Sequence, residues 1–167
     1  MYINDQIKSP YIIKKQQIED TLGEYLSSLG YHQLRIAETE KYAHVTYFFD
    51  GGKELDLKNC DKVLIPSKKV ATYDLEPSMS AYEITDKLLS IIDDYDFIVL
   101  NFANGDMVGH TGNYDATIKA IETIDNCLGK IIHKTNEINM TLIVTADHGN
   151  CDYMIAVSYT HLTLPTT

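Results

Sequence analysis

The chain is poor in positive charge and has no long apolar run. Its 167 residues include 14 Lys and Arg against 24 Asp and Glu, which gives a formal net charge of -10, and Arg35 is its one arginine. An acidic surface argues against general binding to nucleic acid or to anionic membranes. No apolar stretch is long enough to cross a bilayer, and no signal-peptide pattern opens the chain. We therefore expect neither nucleic-acid nor membrane partners.

Cysteine is also scarce. Cys60, Cys127 and Cys151 are three in number, and no two of them have CxxC spacing. These features argue against a zinc ribbon or a disulfide scaffold and favour free thiols in a reducing compartment, so we expect a cytoplasmic protein. The content of apolar residues (44%) and charged residues (23%) is ordinary for a globular domain of this length.

Predicted strands and helices alternate along the chain. Strands are predicted at residues 33–37, 45–49, 62–65, 97–100 and 142–144. Helices are predicted at residues 18–29, where Gly30 ends the helix, from a capping box at Ser80–Glu83 to residue 92, and at residues 115–133. A loop is expected between residues 101 and 114. This alternation predicts an α/β fold with a mostly parallel sheet flanked by helices.

Two of the helices have apolar stripes that we expect to be buried. The first stripe comprises Ile18, Leu22, Tyr25, Leu26 and Leu29. The second comprises Ile118, Ile121, Ile124, Leu128, Ile131 and Ile132.

The two ends of the chain differ from its middle. Residues 1–15 are polar and contain Pro10, and we interpret them as a linker remnant. Residues 156–167 are rich in threonine, lack acidic residues and have no helical stripe. We interpret them as a non-native tail, with a β-leaning terminal strand as the alternative. Residues 16–155 then form a partial domain.

Two polar clusters that contain glycine each follow a predicted strand directly. Residues 101–112 include Asp106 and His110, and residues 145–150 include Asp147 and His148. In open α/β sheets, ligands bind beyond the carboxyl ends of the strands. For one pair alone, a helix N-cap Asp beside a surface His is the preferred interpretation. Two such pairs instead favour a two-metal site.

The spacing within each pair bears on metal binding. Asp106 and His110 are four residues apart, so both can face one point from a helical turn or a tight loop. Asp147 and His148 are adjacent and can converge only if the strand has already turned, which Gly149 permits. Carboxylate oxygen and imidazole nitrogen together suit manganese or zinc.

One lysine, Lys41, follows the predicted strand 33–37 within the charged run 38–41. A lysine near metals and buried among acidic groups could hold a phosphate as a point charge. The alternative is a solvated surface run of Glu and Lys. His44 is expected to lie in the second predicted strand, with a structural role.

Seven stretches taken together resemble one family, the cofactor-independent phosphoglycerate mutases, which belong to the alkaline-phosphatase-like metalloenzymes. The resemblance extends from about residue 21 to about residue 155. The stretches are Leu34 to Thr46, Asp50-Gly51-Gly52, Ile65-Pro66-Ser67, Val70 to Asp74, Met79-Ser80-Ala81, Asn101 to Gly112 and Thr145 to Asn150.

This resemblance implies an incomplete alkaline-phosphatase-like fold from a monomeric enzyme of glycolysis. Such an enzyme interconverts 3-phosphoglycerate and 2-phosphoglycerate, its small-molecule substrates, through a phosphoserine and two manganese ions, other divalent cations being possible. By matching motif, Asp106 and His110 would bind one ion and Asp147 and His148 the other. Lys41 would lie beside the transferring phosphate, in a catalytic and substrate-binding role.

Several parts of the family pattern have no counterpart in this chain. They are the segment with the nucleophilic Ser and a metal-binding Asp, the inserted domain with its substrate-binding arginines, and a further metal-ligand His; neither Arg35 nor His161 replaces them. We therefore expect the chain alone to be inactive. The alternatives are another phosphomutase or phosphatase of the superfamily and a non-catalytic, truncated metal-binding domain.

Overall fold

Three parallel strands form the centre of the protein. The computed structural model describes residues 18–154. The strands are β1 (Gln33–Glu38), β2 (Cys60–Ile65) and β3 (Phe97–Asn101), and they lie in the order β2-β1-β3. Leu34 of β1 is in register with Asp61 of β2 and with Ile98 of β3. The predicted α/β architecture with a parallel sheet is confirmed, and three of the five predicted strands are present.

Helices connect and cover these strands. They are α1 (Leu22–Ser28), α2 (Thr39–Ala43), α3 (Ala81–Ile91), α4 (Asn104–Gly109) and α5 (Tyr114–Glu137). A π-helix follows α2 at His44–Phe48, and two short 3-10 helices lie at Tyr73–Leu75 and Ile92–Asp94. Within residues 18–154, no helix is long and apolar enough to span a membrane.

The central strand β1 is buried along its whole length. On one side, Leu34 and Ile36 belong to the main apolar core, together with Ile84, Leu88, Ile92 and Ile131. A strand between two others in a parallel sheet that is covered on both faces has no solvated side. This explains why the polar residues that alternate with Leu34 and Ile36, namely Gln33 and Arg35, are buried as well.

The other side of β1 buries charge. Arg35 lies over the rings of Phe49 and Phe97, at 4.3 and 5.4 Å from their centroids, and donates to Gln33 Oε1 at 2.9 Å. Asp50 is also fully buried. Burial lowers the pKa of Arg35 and raises the pKa of Asp50.

The predicted strand at residues 45–49 is wrong, because this segment is the π-helix His44–Phe48. Its β-branched and aromatic composition suits a strand, but the chain continues from α2 without a break. Val45 and Thr46 are buried by this winding, and Thr46 Oγ1 donates to Tyr42 O. Tertiary packing has overridden local propensity here. His44 is therefore the first residue of the π-helix, directly after α2, and does not lie in a strand.

The predicted strand at residues 142–144 is also absent from the described sheet. No strand within residues 18–154 pairs with it, and the side chains of Leu142, Ile143 and Val144 are exposed. An apolar run becomes a strand only where a neighbouring strand accepts its backbone hydrogen bonds.

Two local predictions also need correction. The expected loop at residues 101–114 contains the helix α4. The helix α3 begins after Ser80 as predicted, but the capping box does not form. Ser80 Oγ donates to Pro66 O, and Glu83 pairs with Lys68 instead.

The predicted apolar stripe of α5 is only partly correct, because Ile131 is buried and Ile124 and Leu128 are half-buried. Ile118, Ile121 and Ile132 are exposed, whereas the buried face is lined mainly by smaller residues, namely Ala116, Thr117, Ala120, Thr123, Cys127, Ile131 and Thr135. Small side chains let α5 approach α3 and α4 closely.

Helix α1 is shorter than predicted, and most of its stripe is exposed. Ile18, Leu22, Tyr25 and Leu29 face outward, and Gly23 is the buried residue of the helix. Thr21 and Glu24 form a capping box at its start. Gly30, at φ +83°, follows its C-terminal cap as expected.

Candidate functional site

The candidate site lies at the carboxyl ends of β1 and β3. Helix α2 begins directly after β1 and carries Lys41, and α4 begins three residues after β3 and carries Asp106. Because β1 and β3 are paired parallel neighbours, the segments that leave their carboxyl ends emerge side by side. This topology brings together two residues that are 65 positions apart in the chain.

Lys41 and Asp106 form the centre of the site. Lys41 Nζ donates to Asp106 Oδ2 at 2.6 Å, and the side chains are 3% and 16% exposed respectively. Burial acts to raise the pKa of Asp106, but hydrogen bonds from Lys41 and Asn150 outweigh it and hold this pKa below its ordinary value. The alternative of a solvated surface run is therefore wrong for Lys41, although Glu40 in the same run is exposed.

His110 lies one helical turn beyond Asp106. Its Nε2 is 3.1 Å from Asp106 Oδ1, and its side chain is 67% exposed. The i, i+4 spacing in the sequence therefore does place both side chains at one point, on α4 and its C-terminal cap.

Asp147 and His148 approach this centre from an exposed segment. Asp147 Oδ2 is 4.0 Å from Lys41 Nζ. His148 Nε2 is 3.8 Å from Asp106 Oδ2 and 3.9 Å from Asp147 Oδ1. Both side chains are 47% exposed. The structure thus brings together all five residues singled out in the sequence.

Asn150 belongs to this site, and sequence reasoning gave it no role. Its Nδ2 donates to Asp106 O at 2.9 Å and to Asp106 Oδ1 at 2.7 Å. The signal available in the sequence was its place two residues after His148, in the same polar cluster.

Glu38 is a second residue whose part was missed. It is fully buried at the end of β1, where Ser67 Oγ donates to its Oε2 at 2.8 Å and Ser80 N donates to its Oε1 at 3.4 Å. Burial raises the pKa of Glu38 against the effect of these hydrogen bonds. This carboxyl group ties the segment after β2 and the start of α3 to the end of β1, next to Lys41.

The donor set suits a divalent metal in kind but is short in number. Two carboxylates and two imidazoles lie at one sheet edge, and these donors suit manganese or zinc. However, no group of three His, Cys, Asp or Glu side chains between residues 18 and 154 is arranged to hold one ion. An ion bound here by these residues would need further ligands from water or from chain outside this range.

Comparison with known proteins identifies the class. Residues 11–167 match the Metalloenzyme superfamily, and the chain belongs to that superfamily. Its sequence is 61% identical over 147 residues to the 2,3-bisphosphoglycerate-independent phosphoglycerate mutase of Clostridium novyi (strain NT). The aligned residues are 87% of this chain and 29% of that protein. The protein of the same description from Clostridioides difficile (strain 630) is 61% identical over 142 residues, 84% of this chain and 28% of that protein.

A solved structure shares the fold. The phosphoglycerate mutase of Leishmania mexicana, crystallised at low cobalt concentration, superposes with a TM-score of 0.78 and 35% identity, over 81% of this chain and 25% of that one. The resemblance drawn from the seven motifs is thus confirmed. The chain spans less than a third of the length of these relatives.

Proposed function

We propose that this chain is the part of a 2,3-bisphosphoglycerate-independent phosphoglycerate mutase that carries Lys41 and two metal-ligand pairs. The parent enzyme would interconvert 3-phosphoglycerate and 2-phosphoglycerate through a phosphoserine. The observation that carries the proposal is the convergence of Lys41, Asp106, His110, Asp147 and His148 at one sheet edge, in a chain 61% identical to such enzymes.

Each residue has a physical role in this proposal. Asp106 and His110 would hold one manganese ion, and Asp147 and His148 the other. Bound ions would supply positive charge that offsets the charge of the phosphoryl oxygens. Lys41 is buried and fixed by Asp106, so its ammonium group needs little reorganisation to act on a phosphoryl group as a preorganised positive charge. This local charge lets an acidic protein accept an anionic substrate.

The chain alone is expected to lack mutase activity. Covalent phosphoryl transfer needs a nucleophile, and the resemblance assigns the nucleophilic serine to a segment without a counterpart here. The cytoplasmic location, the monomeric state and the choice of manganese also stay predictions.

A chimera provides the test. Residues 18–154 would replace the matching segment of the Clostridium novyi enzyme, and mutase turnover would be followed in a coupled assay. We expect the chimera to be active and the Lys41→Met chimera to lose at least about a hundredfold in kcat, as expected for removal of one preorganised charge. The matched control is Lys87→Met, which changes an exposed lysine of α3.

Three results would contradict the proposal. One is a folded chimera without turnover, and another is equal activity in the Lys41→Met and Lys87→Met chimeras. The third is release of inorganic phosphate in place of isomerisation, which would favour the alternative of a superfamily phosphatase.

A further inference from the structure

Asn150 joins the two halves of the site. We propose that it is a positioning residue, whose side-chain amide holds the segment Thr145–Asn150 against α4 so that Asp147 and His148 stay within reach of Asp106. This inference rests on the proposed function for its catalytic meaning, while the positioning itself concerns the chain alone.

The hydrogen bonds of the amide define the contact. Asn150 Nδ2 donates one hydrogen bond to the backbone carbonyl of Asp106 and one to its carboxylate Oδ1, at 2.9 and 2.7 Å. Two bonds from one nitrogen to the main chain and side chain of one residue restrict the rotation of that side chain. Oδ2 is left for Lys41, at 2.6 Å. Asn150 therefore orients the carboxylate about which the site is built.

Besides Asn150, the segment Thr145–Asn150 reaches other elements only through two longer ionic contacts in the described part of the chain, from Asp147 to Lys41 at 4.0 Å and from His148 to Asp106 at 3.8 Å. Thr145 Oγ1 donates to Ala146 O, His148 N donates to Asp147 Oδ1, and His148 Nδ1 contacts Gly149 O. These bonds stay inside the segment. Within residues 18–154, the hydrogen bonds that reach from it to another element are both made by Asn150. The preceding residues Leu142–Val144 are exposed and supply no apolar anchor.

The side-chain amide of Asn150 lies against Gly109, which has no side chain. A Cβ atom built on Gly109 would lie 3.3 to 3.4 Å from the amide carbon, nitrogen and oxygen of Asn150. Such contacts are tighter than ordinary packing, so the amide would have to shift by a few tenths of an ångström. The glycine in the last turn of α4 therefore allows the close approach that the two hydrogen bonds need.

Cys151 is a natural probe of this contact. It follows Asn150 directly, is partly buried, and lies close enough to α4 that a Cβ on Gly105 would be 3.4 Å from its sulfur. If the segment leaves α4, the thiol of Cys151 becomes accessible. Cys127 is buried in α5 and Cys60 begins β2, so both serve as internal references in the same molecule.

The first experiment measures the alkylation rate of each cysteine in the 167-residue chain by peptide mass spectrometry. We expect Asn150→Ala to raise the rate at Cys151 about tenfold, since two hydrogen bonds to a carboxylate-bearing residue are lost. The rates at Cys60 and Cys127 should not change. Asn126→Ala is the matched control, because Asn126 Nδ2 donates to Glu122 O within α5 and the residue is exposed.

An unchanged rate at Cys151 in Asn150→Ala would overturn the proposal. If Cys127 also became reactive, the variant would have lost its fold, and Asn150→Asp then decides. That variant keeps the size of the side chain but replaces the donating amide with a carboxylate that Asp106 repels, so Cys151 alone should become more reactive; equal rates in Asn150→Asp and wild type would overturn the proposal.

The second experiment asks whether the contact supports the metal site. In the chimera, manganese binding is followed by the electron paramagnetic resonance of the free ion, and activity is titrated with manganese. Loss of a group that orients a ligand lowers metal affinity 10–100-fold, so Asn150→Ala should raise both the dissociation constant and the half-activating concentration about tenfold, with Asn126→Ala unchanged.

The two experiments separate the two claims. A reactive Cys151 with unchanged manganese affinity would overturn the role in the site and leave only a loop anchor. An inactive chimera would contradict the proposed function, while the alkylation rates would still decide whether Asn150 positions the segment.

Discussion

Two buried cationic side chains, one in β1 and one just after it, have different surroundings. Lys41, just beyond the end of the strand, contacts a carboxylate directly, at 2.6 Å from Asp106. Arg35, inside the strand, has no carboxylate within 4.0 Å among residues 18–154; it contacts Gln33 and the rings of Phe49 and Phe97. The nearby carboxylate of Asp50 accepts no hydrogen bond from the described part of the chain.

The difference separates the candidate functional site from a cluster that is buried in the fold. At Lys41, ionised groups contact one another beside exposed imidazoles, so a ligand can compete for them. At Arg35, the guanidinium contacts two aromatic rings and the side chain of Gln33, and Asp50 makes no hydrogen bond to it. The pKa of Asp106 is accordingly held below its ordinary value and that of Asp50 is raised above it. Stability should therefore depend on these two carboxylates to different extents and with opposite dependence on pH.

Removal of Asp106 should have the largest effect. Asp106→Ala leaves the Lys41 ammonium buried without its close partner, which costs about 3 kcal/mol in free energy of unfolding. Asp50→Asn should change the free energy of unfolding by less than about 1 kcal/mol at pH 7, because burial already disfavours the ionised carboxylate and Arg35 keeps Gln33 and both rings. Urea unfolding of the 167-residue chain measures both. A larger loss for Asp50→Asn would reverse the comparison.

The Arg35 cluster is a group of buried and half-buried side chains that comprises Arg35, Gln33, Phe49, Asp50 and Phe97. A methyl group introduced at Gly23 should test how tightly this cluster is packed. A Cβ there would lie 2.8 Å from Arg35 Nη2 and 3.0 Å from both Asp50 Oδ1 and Leu57 Cδ1. We expect Gly23→Ala to destabilise by about 1–2 kcal/mol, because overpacking outweighs the gain in helix propensity.

The matched control for Gly23 is Gly129, in the middle of α5, where a Cβ would meet nothing within 4 Å. Gly129→Ala should stabilise by about 0.5–1 kcal/mol. Thermal or urea unfolding of both variants decides. Equal shifts in the two variants would show that the Arg35 cluster has room to spare.

The pH dependence should give the smallest effect, with opposite signs at the two carboxylates. The folded-state pKa of Asp50 is raised above 3.8, so the burial penalty is present at neutral pH and is relieved as pH falls through that folded pKa. The folded-state pKa of Asp106 is lowered below 3.8, so its contribution is present above 3.8 and is lost as pH falls through its folded pKa.

Unfolding free energies at pH 7, 4.5 and 3 test these signs, because the contribution of Asp106 is lost only once pH falls below 3.8. From pH 7 to pH 3, wild type should gain stability relative to Asp50→Asn and lose stability relative to Asp106→Asn. The same sign for both differences would refute the assignment of opposite environments to the two carboxylates.

The amino-acid sequence by itself determined the strands β1, β2 and β3, the existence of α1, α3 and α5, and five residues of the candidate site, although not Asn150 or Glu38. Apolar runs bounded by turn residues are local signals, and so is the i, i+4 spacing of Asp106 and His110. The order of strand and polar cluster led to the correct prediction that the two Asp/His pairs meet, but the stated reason holds only for Asp106 and His110, which follow β3; Asp147 and His148 reach the site from a segment that is not a strand.

Only the tertiary structure decided which of these local preferences prevailed. Residues 45–49 wind into a π-helix because their packing against β1 outweighs β-propensity, and residues 142–144 stay unpaired because no described strand accepts their hydrogen bonds. Three contacts of the site link positions that are 29 to 65 residues apart in the chain. They are the contacts of Lys41 with Asp106, of Glu38 with Ser67 and of Asn150 with Asp106. Contacts over such separations depend on how the elements pack, and no local pattern in the sequence encodes them.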